Sequence, residues 1–351
     1  MSALNTPGQR DGLFTRRLAA FVTLFLLLSA GVPYAIYHEL GGQLPALDTR
    51  LFSPVAVLSC LGLLLVYFVA DGLRLYYVVR AQNHRVPAVQ MARLVFINIL
   101  FSNITPMATG GGFAQIGYLR AQGMHLGAAT AATTLRTLLA SLLIFIPTPF
   151  LILFMEPLQE SAMVGHWSLY LGIFAALYAG FFLLMLTRRR WLMAAGNACL
   201  QALHISGLIG EQRMRRWRFT LHRELVRFGY ALLTYLKGRR RDLVLSLLCT
   251  LLFLLSLFSF PALLFWLLGH PIDYWTVIGL MVVTTFAMYF APTPGAAGIA
   301  EGVFALVFAG MAPPGDLLLV IIVWRALTIY SGMLIGVPVT LHLLARQRHT
   351  T

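Results

Sequence analysis

Polar residues in this chain gather between long stretches that carry almost none. Apolar runs fall at 18–37, 51–79, 94–109, 124–155, 167–187, 243–268, 274–310 and 317–344. A helix needs about 20 apolar residues to cross the hydrocarbon of a bilayer, and most of these runs reach that length. Two depart from the pattern. The run at 94–109 ends in Asn103-Ile104-Thr105-Pro106, followed by Gly110, Gly111 and Gly112. The run at 274–310 is broken by Pro292, Pro294, Gly295 and Gly298. Proline removes a backbone donor and glycine loosens a helix. Broken helices persist at membrane depth only where protein buries them or a polar cavity faces them.

Composition agrees with a membrane protein. Only 11% of the residues are charged and 59% are hydrophobic, against about 25% charged in soluble domains. The net charge of +14 does not point to nucleic acid, because the cations cluster at the ends of apolar runs in the positive-inside pattern. Arg16 and Arg17 precede the first run, which is longer than the core of a cleaved signal peptide, so it is expected to be an uncleaved span. The odd set Cys60, Cys199 and Cys249 offers neither a disulfide framework nor metal spacing, and no cofactor or metal is expected.

The loop charges set a topology. Arg10, Arg16 and Arg17 place the N-terminus in the cytoplasm, and Arg80, Arg85 and Arg93 return the chain there. The segment 188–241 holds 13 of the 26 Lys and Arg residues and is also expected in the cytoplasm. The stretches 38–50, 156–166, 269–273 and 311–316 are poor in cations and are expected outside. These sides agree only if 94–122 and 274–310 each return to the face they left. The expected fold is therefore an all-α integral membrane protein of about six full transmembrane helices plus two re-entrant helical hairpins. Pro106 precedes Arg136 by nearly the interval that separates Pro294 from Arg325, as in an inverted-topology repeat. The alternative, eight full spans, puts Arg120 outside. The domains run as a cytoplasmic N-terminus 1–17, a first membrane half 18–187, a linker 188–241, a second half 242–345 and a cytoplasmic tail 346–351.

Within the linker, Met214, Trp217, Leu221, Leu225, Phe228, Leu232 and Tyr235 recur at spacings of three and four, with arginines elsewhere. That pattern predicts a basic amphipathic helix suited to an anionic leaflet. The small-residue pairs Gly298–Gly302 and Gly332–Gly336 predict close helix packing.

Candidate chemistry lies in the deep charges Asp71, Arg136, Glu301 and Arg325, since an ionisable residue at membrane depth is a functional candidate by default. Asp71 and Arg74, three apart on one helix, are expected to satisfy each other. Glu301 is then expected to neutralise Arg325 or Arg136, which leaves one cation over. Arginine grips phosphate through a planar fork. Half-helices starting after Gly112 and Gly298 are expected to aim positive dipole ends at the midplane. A phosphate headgroup is the natural guest.

At these motifs the chain resembles the lysylphosphatidylglycerol synthase transmembrane (flippase-like) family. Asn103-Ile-Thr-Pro106, Gly111-Gly112 and Tyr118-Leu-Arg120 look like its first signature, and Pro294-Gly295-Ala-Ala-Gly298-Ile-Ala-Glu301 its second. Arg136 and Arg325 fall where the family carries arginines. Ala296 stands for a usual glycine, and Phe113-Ala114-Gln115 replaces a usual acidic position, so the resemblance does not extend to a cationic-headgroup site on the first hairpin. It implies a stand-alone member, without the aminoacyl-transferase domain, in a bacterial inner membrane. Such a protein is not an enzyme but moves a phosphate-bearing lipid, a phospholipid or a polyprenyl-phosphate-linked one, between leaflets. Its binding residues are Arg136, Arg325, Glu301, Asn103, Tyr118 and Arg120, and Glu301 gates the site or exchanges a proton. Anionic lipids and further copies of the chain are the expected partners, and nucleic acid is not. A small-solute or ion carrier and a scaffold for envelope enzymes are the alternative readings.

Overall fold

Ser53 and Pro54 start the first long helix described: the Ser53 hydroxyl accepts from the Ala56 amide, and Pro54 occupies a position where no amide bond is needed. The computed structural model describes residues 48–156, 189–205 and 210–348, with scattered positions between 23 and 38 and between 158 and 180. The expected spans at 18–37 and 167–187 lie largely outside the described residues. Every longer element described is helical.

Helix α1 (Pro54–Ala81) leads through a short turn to α2 (Ala88–Asn103) and α3 (Thr109–Ala121). Helix α4 (Leu126–Phe145) continues through Pro147 into α5 (Thr148–Phe154). Helices α6 (Arg189–Ile205) and α7 (Glu211–Leu236) form the basic linker, and α8 (Arg240–Leu267) begins the second half. Then come α9 (Tyr274–Met288), α10 (Ile299–Val307) and α11 (Pro314–Arg325). A π-helical turn, Ala326–Tyr330, joins α11 to α12 (Ser331–Arg348). Among the described residues, four units are long and apolar enough to cross a bilayer: Pro54–Ala81, Leu126–Phe154, Arg240–Leu267 and Pro314–Leu343.

The most extensive packing joins α1 to α8. Their ends fix them antiparallel. Arg50, before α1, donates to the Leu268 carbonyl at 2.8 Å, just past the end of α8. At the other end Gly238, before α8, lies so close to α1 that a Cβ there would stand 2.6 Å from the Ala81 carbonyl oxygen. Apolar side chains of α1 (Val55, Leu58, Leu61, Leu65) and of α8 (Val244, Leu247, Leu251) stay exposed, as a lipid-facing surface requires.

Helices α2 and α3 pack on each other, as do α9 and α10. The flanks of the second pair meet: His270, before α9, lies 2.9 Å from the Asp316 carboxylate at the start of α11. The flanks of the first pair share one apolar cluster that includes Val79, Val86, Met91, Leu119 and Met124. A larger cluster, from Leu64 and Tyr67 to Trp324, unites α1, α4, α8, α9, α10 and α11.

Local boundaries differ from the sequence pattern where caps decide them. The first hairpin begins at Ala88 rather than 94, because Pro87 supplies an extended N-cap (ψ 143) that the apolar count does not register. Helix α3 begins at Thr109, so Gly110, Gly111 and Gly112 form its first turn instead of preceding it. The predicted linker helix is present as α7, with Tyr235 buried against Ser246. The side chains of Leu221, Leu225, Phe228 and Leu232 lie outside the described set. The expectation for the small-residue pairs holds for Gly332 and Gly336, which press on Ile99 and Phe96 of α2. It fails for Gly302, where a Cβ would meet open space.

Gly336→Val forces a branched side chain against the Phe96 carbonyl, 2.6 Å from where its Cβ would stand, and is expected to cost about 1–3 kcal/mol. Gly62→Val, where nothing lies within 4 Å, is expected to leave stability unchanged. Thermal unfolding of the two purified variants checks the contrast.

Candidate functional site: opposed hairpin turns and three buried arginines

Each hairpin turns through residues in the left-handed region. Met107 (φ 53) and Ala108 (φ 54) make the first turn, and Gly295 (φ 59) and Ala296 (φ 53) the second. Three of these four carry a Cβ, and such residues hold that conformation only when their surroundings over-determine it. The other hairpin packs against the second turn at Gly295. Pro106 and Pro294 pair through an antiparallel bridge, which brings the tips face to face. Asn103, at the end of α2, donates to the Ile99 carbonyl at 2.7 Å. Its side-chain oxygen lies 2.7 Å from the place a Cβ on Gly295 would take. No side chain fits at Gly295, so glycine is needed there for space as well as for φ.

The turns share a pattern that pairwise proline spacing does not reveal. Thr105-Pro106-Met107-Ala108-Thr109-Gly110 and Thr293-Pro294-Gly295-Ala296-Ala297-Gly298 both read Thr-Pro-x-Ala-x-Gly. Inside the first hairpin, Gly111 packs hardest: a Cβ would stand 1.8 Å from the Ser102 hydroxyl and 2.6 Å from Asn98 Oδ1. Gly112 meets only an ordinary contact with Thr133 at 4.0 Å.

The second turn is held by Glu301 and Arg325. One carboxylate oxygen of Glu301 accepts the Gly298 amide at 2.7 Å, capping α10. The other lies 2.7 Å from Arg325 Nε, off the axis of a good hydrogen bond. Arg325 Nη2 donates to the Gly295 carbonyl at 2.9 Å. A single arginine, 2% exposed, thus ties the break to α11 on both sides of the turn.

The first half solves the same problem with different residues. In register with Glu301 it carries Phe113, which is exposed. Arg136 turns instead to Asp71 on α1, with Nη2 2.5 Å from one oxygen and 2.7 Å from the other. Asp71 also accepts from Arg74 Nε at 2.7 Å. The Arg74 guanidinium lies 3.7 Å from the centre of the Phe253 ring on α8, a cation–π contact. The expected Asp71–Arg74 pair is present, but Asp71 also holds Arg136, and Glu301 pairs with Arg325 rather than with Arg136. Asp71 serves two arginines on two helices. With Phe113 opposite Glu301, Arg136 has no carboxylate on its own hairpin, and that mismatch is the signal that points to Asp71.

Among the deep described residues, three buried arginines (Arg74, Arg136, Arg325) stand against two buried carboxylates (Asp71, Glu301). Arg74 Nη1, Arg136 Nε and Arg325 Nη1 are buried and make no hydrogen bond. The arrangement can accept one more anion without adding a cation. Tyr118 and Arg120 are not part of it. Tyr118 lies about 14 Å along α3 from Thr109 and engages Arg93, while Arg120 is exposed near the end of α3.

Apolar spans around buried arginine–carboxylate sets define a multi-pass helical membrane protein. The chain belongs to the lysylphosphatidylglycerol synthase transmembrane-region family, whose model matches residues 17–336, a membrane family associated with lipid handling. No curated protein matches the chain.

Removing the shared carboxylate isolates two buried guanidinium groups. Asp71→Asn is expected to destabilise the protein by about 3–5 kcal/mol. Asp48→Asn, at the exposed Arg50 pair, is expected to cost less than about 1 kcal/mol. Midpoints of thermal unfolding in one detergent compare the two.

Proposed function

We propose that this protein moves a phosphate-bearing lipid between the leaflets of a bacterial inner membrane, without catalysing a covalent reaction. The observation that carries the reading is the surplus of one buried arginine over the buried carboxylates among the deep described residues, in a fold whose hairpin turns are apposed. A lone arginine at mid-membrane costs at least about 2.5 kcal/mol on insertion scales. A lipid phosphate arriving there relieves that cost and takes up guanidinium donors that have no hydrogen-bond partner among the described residues. The turns feed α3 and α10, whose first amides start at Thr109 and Ile299, so two positive dipole ends converge on the same place. The acyl or prenyl tails remain in the bilayer along the exposed faces of α1 and α8.

In this reading 88–121 and 274–307 are re-entrant hairpins from opposite faces of the membrane, within an inverted repeat of six spans, and both termini are cytoplasmic. Passage of a headgroup requires the Pro106–Pro294 contact to open. Glu301 holds the second turn shut through Gly298 and Arg325. A shift of Arg325 from the Gly295 carbonyl to a phosphate oxygen weakens that hold, which couples binding to opening.

Scrambling of a fluorescent anionic lipid in proteoliposomes tests the mechanism. Arg136→Lys and Arg325→Lys keep the charge but lose the fork. They are expected to reconstitute normally and to slow transport at least about tenfold, the loss of one charge-assisted hydrogen bond. Wild-type rates in both variants would overturn the phosphate clamp. A wild-type protein that moves no lipid at all would overturn the transport reading and leave the scaffold reading.

A further inference from the structure

A second cluster of cations lies far from the hairpin turns and takes no part in the site above. The end of α1, the turn that follows it and the start of α8 enclose a cavity of about 580 Å³, within the roughly 300–1,000 Å³ range of small-molecule sites. Arg80, Arg85, Arg239, His84 and Asn83 line it together with Tyr76 and Asp242. Arg80 Nε lies 3.4 Å from the Asp242 carboxylate, which is 2% exposed. Arg85 and Arg239 are exposed and form no ion pair among the described residues. The wall therefore carries three guanidinium groups against one carboxylate.

The cavity is built into the backbone. The His84 amide bonds back to the Val79 carbonyl at 3.2 Å, and Asn83 (φ 62) turns the chain over the end of α1. Gly238 clamps the far wall, since a Cβ there would stand 2.6 Å from the Ala81 carbonyl oxygen. Arg85 and Arg239 thus line one cavity although they are far apart in sequence. Arginines placed this way suit an anion with several acceptor oxygens, which each planar fork can grip in two bonds. Asp242 fills one part of that demand and leaves the two exposed arginines for a ligand.

We propose that this cavity is a second anion site, specific for a phosphate group, at the end of the bundle that the cation distribution assigns to the cytoplasm. Its source is either the headgroup of an anionic phospholipid in the adjacent leaflet or a soluble phosphate. The site rests on the transport reading only for the name of that face, and it stands whether or not the protein moves lipid.

The test uses the full-length protein in neutral detergent, with thermal unfolding as the readout. Inorganic phosphate is titrated in one series, and phosphatidylglycerol in mixed micelles in another, with zwitterionic phosphatidylcholine, which has no net charge, as the control. At least one of the two probes is expected to raise the wild-type midpoint. Arg85→Gln/Arg239→Gln is expected to weaken that response at least about tenfold, while its unliganded midpoint stays at the wild-type value because both side chains are exposed. Single Arg239→Gln is expected to fall between the two. A response to phosphatidylglycerol alone assigns a lipid headgroup, and one to inorganic phosphate assigns a soluble anion. Arg325→Lys is expected to keep the response, which separates this site from the deep one. An equal response in wild type and double variant, or none to either probe, would overturn the proposal.

Discussion

A guanidinium group buried among apolar helices has to find negative charge, and here three such groups share two carboxylates. That constraint organises the bundle. Asp71 cannot be released from Arg74 or Arg136 without exposing a charge to hydrocarbon, so α1 and α4 are fixed to each other. Phe253 on α8 covers the Arg74 guanidinium, which brings the most extensive helix pair into the same set. Glu301 and Arg325 do the equivalent work for α10 and α11, and through the Gly295 carbonyl they also fix the second turn. The broken backbone survives because side-chain charges take over contacts that helical hydrogen bonds would otherwise make.

The two turns are alike in pattern and differ in chemistry. Both turns read Thr-Pro-x-Ala-x-Gly and both pass through the left-handed region. The second half keeps its carboxylate on the hairpin and uses it locally. The first half has Phe113 in that register and draws its carboxylate from α1. Charge is therefore distributed unevenly between two turns of like pattern. The surplus cation falls on the Asp71 side, where one carboxylate serves two arginines. That asymmetry distinguishes the two turns, since the second is closed by a one-to-one pair and the first is not.

Much of this frame is legible in the chain. Four of the apolar runs correspond to spanning units within a few residues, because burial in lipid demands both length and apolarity and leaves little else to read. The two breaks are legible because Pro and Gly act locally. Helix starts are less so: Pro87 moves α2 six residues upstream through capping geometry, which apolar counting ignores. The arginines and Glu301 stand out as isolated charges, yet their pairing does not, since Asp71 and Arg136 lie 65 residues apart and meet only through packing. Arg120 and Tyr118 carry a signature pattern but sit at the far end of α3, where motif position alone does not report depth. The basic cavity at Arg80, Arg85 and Arg239 joins three segments and has no linear signal.

The central claim is that two hairpins enter from opposite faces and meet, and side-specific labelling tests it most directly. Single cysteines are placed at positions 85, 120, 270 and 313 in a protein lacking Cys60, Cys199 and Cys249, and each is exposed to an impermeant thiol reagent from either side of the membrane. The account predicts that 85 and 120 react only from the cytoplasm and that 270 and 313 react only from the periplasm. Labelling of 85 and 120 from opposite sides would make α2 and α3 a full crossing and would contradict the opposed-hairpin arrangement.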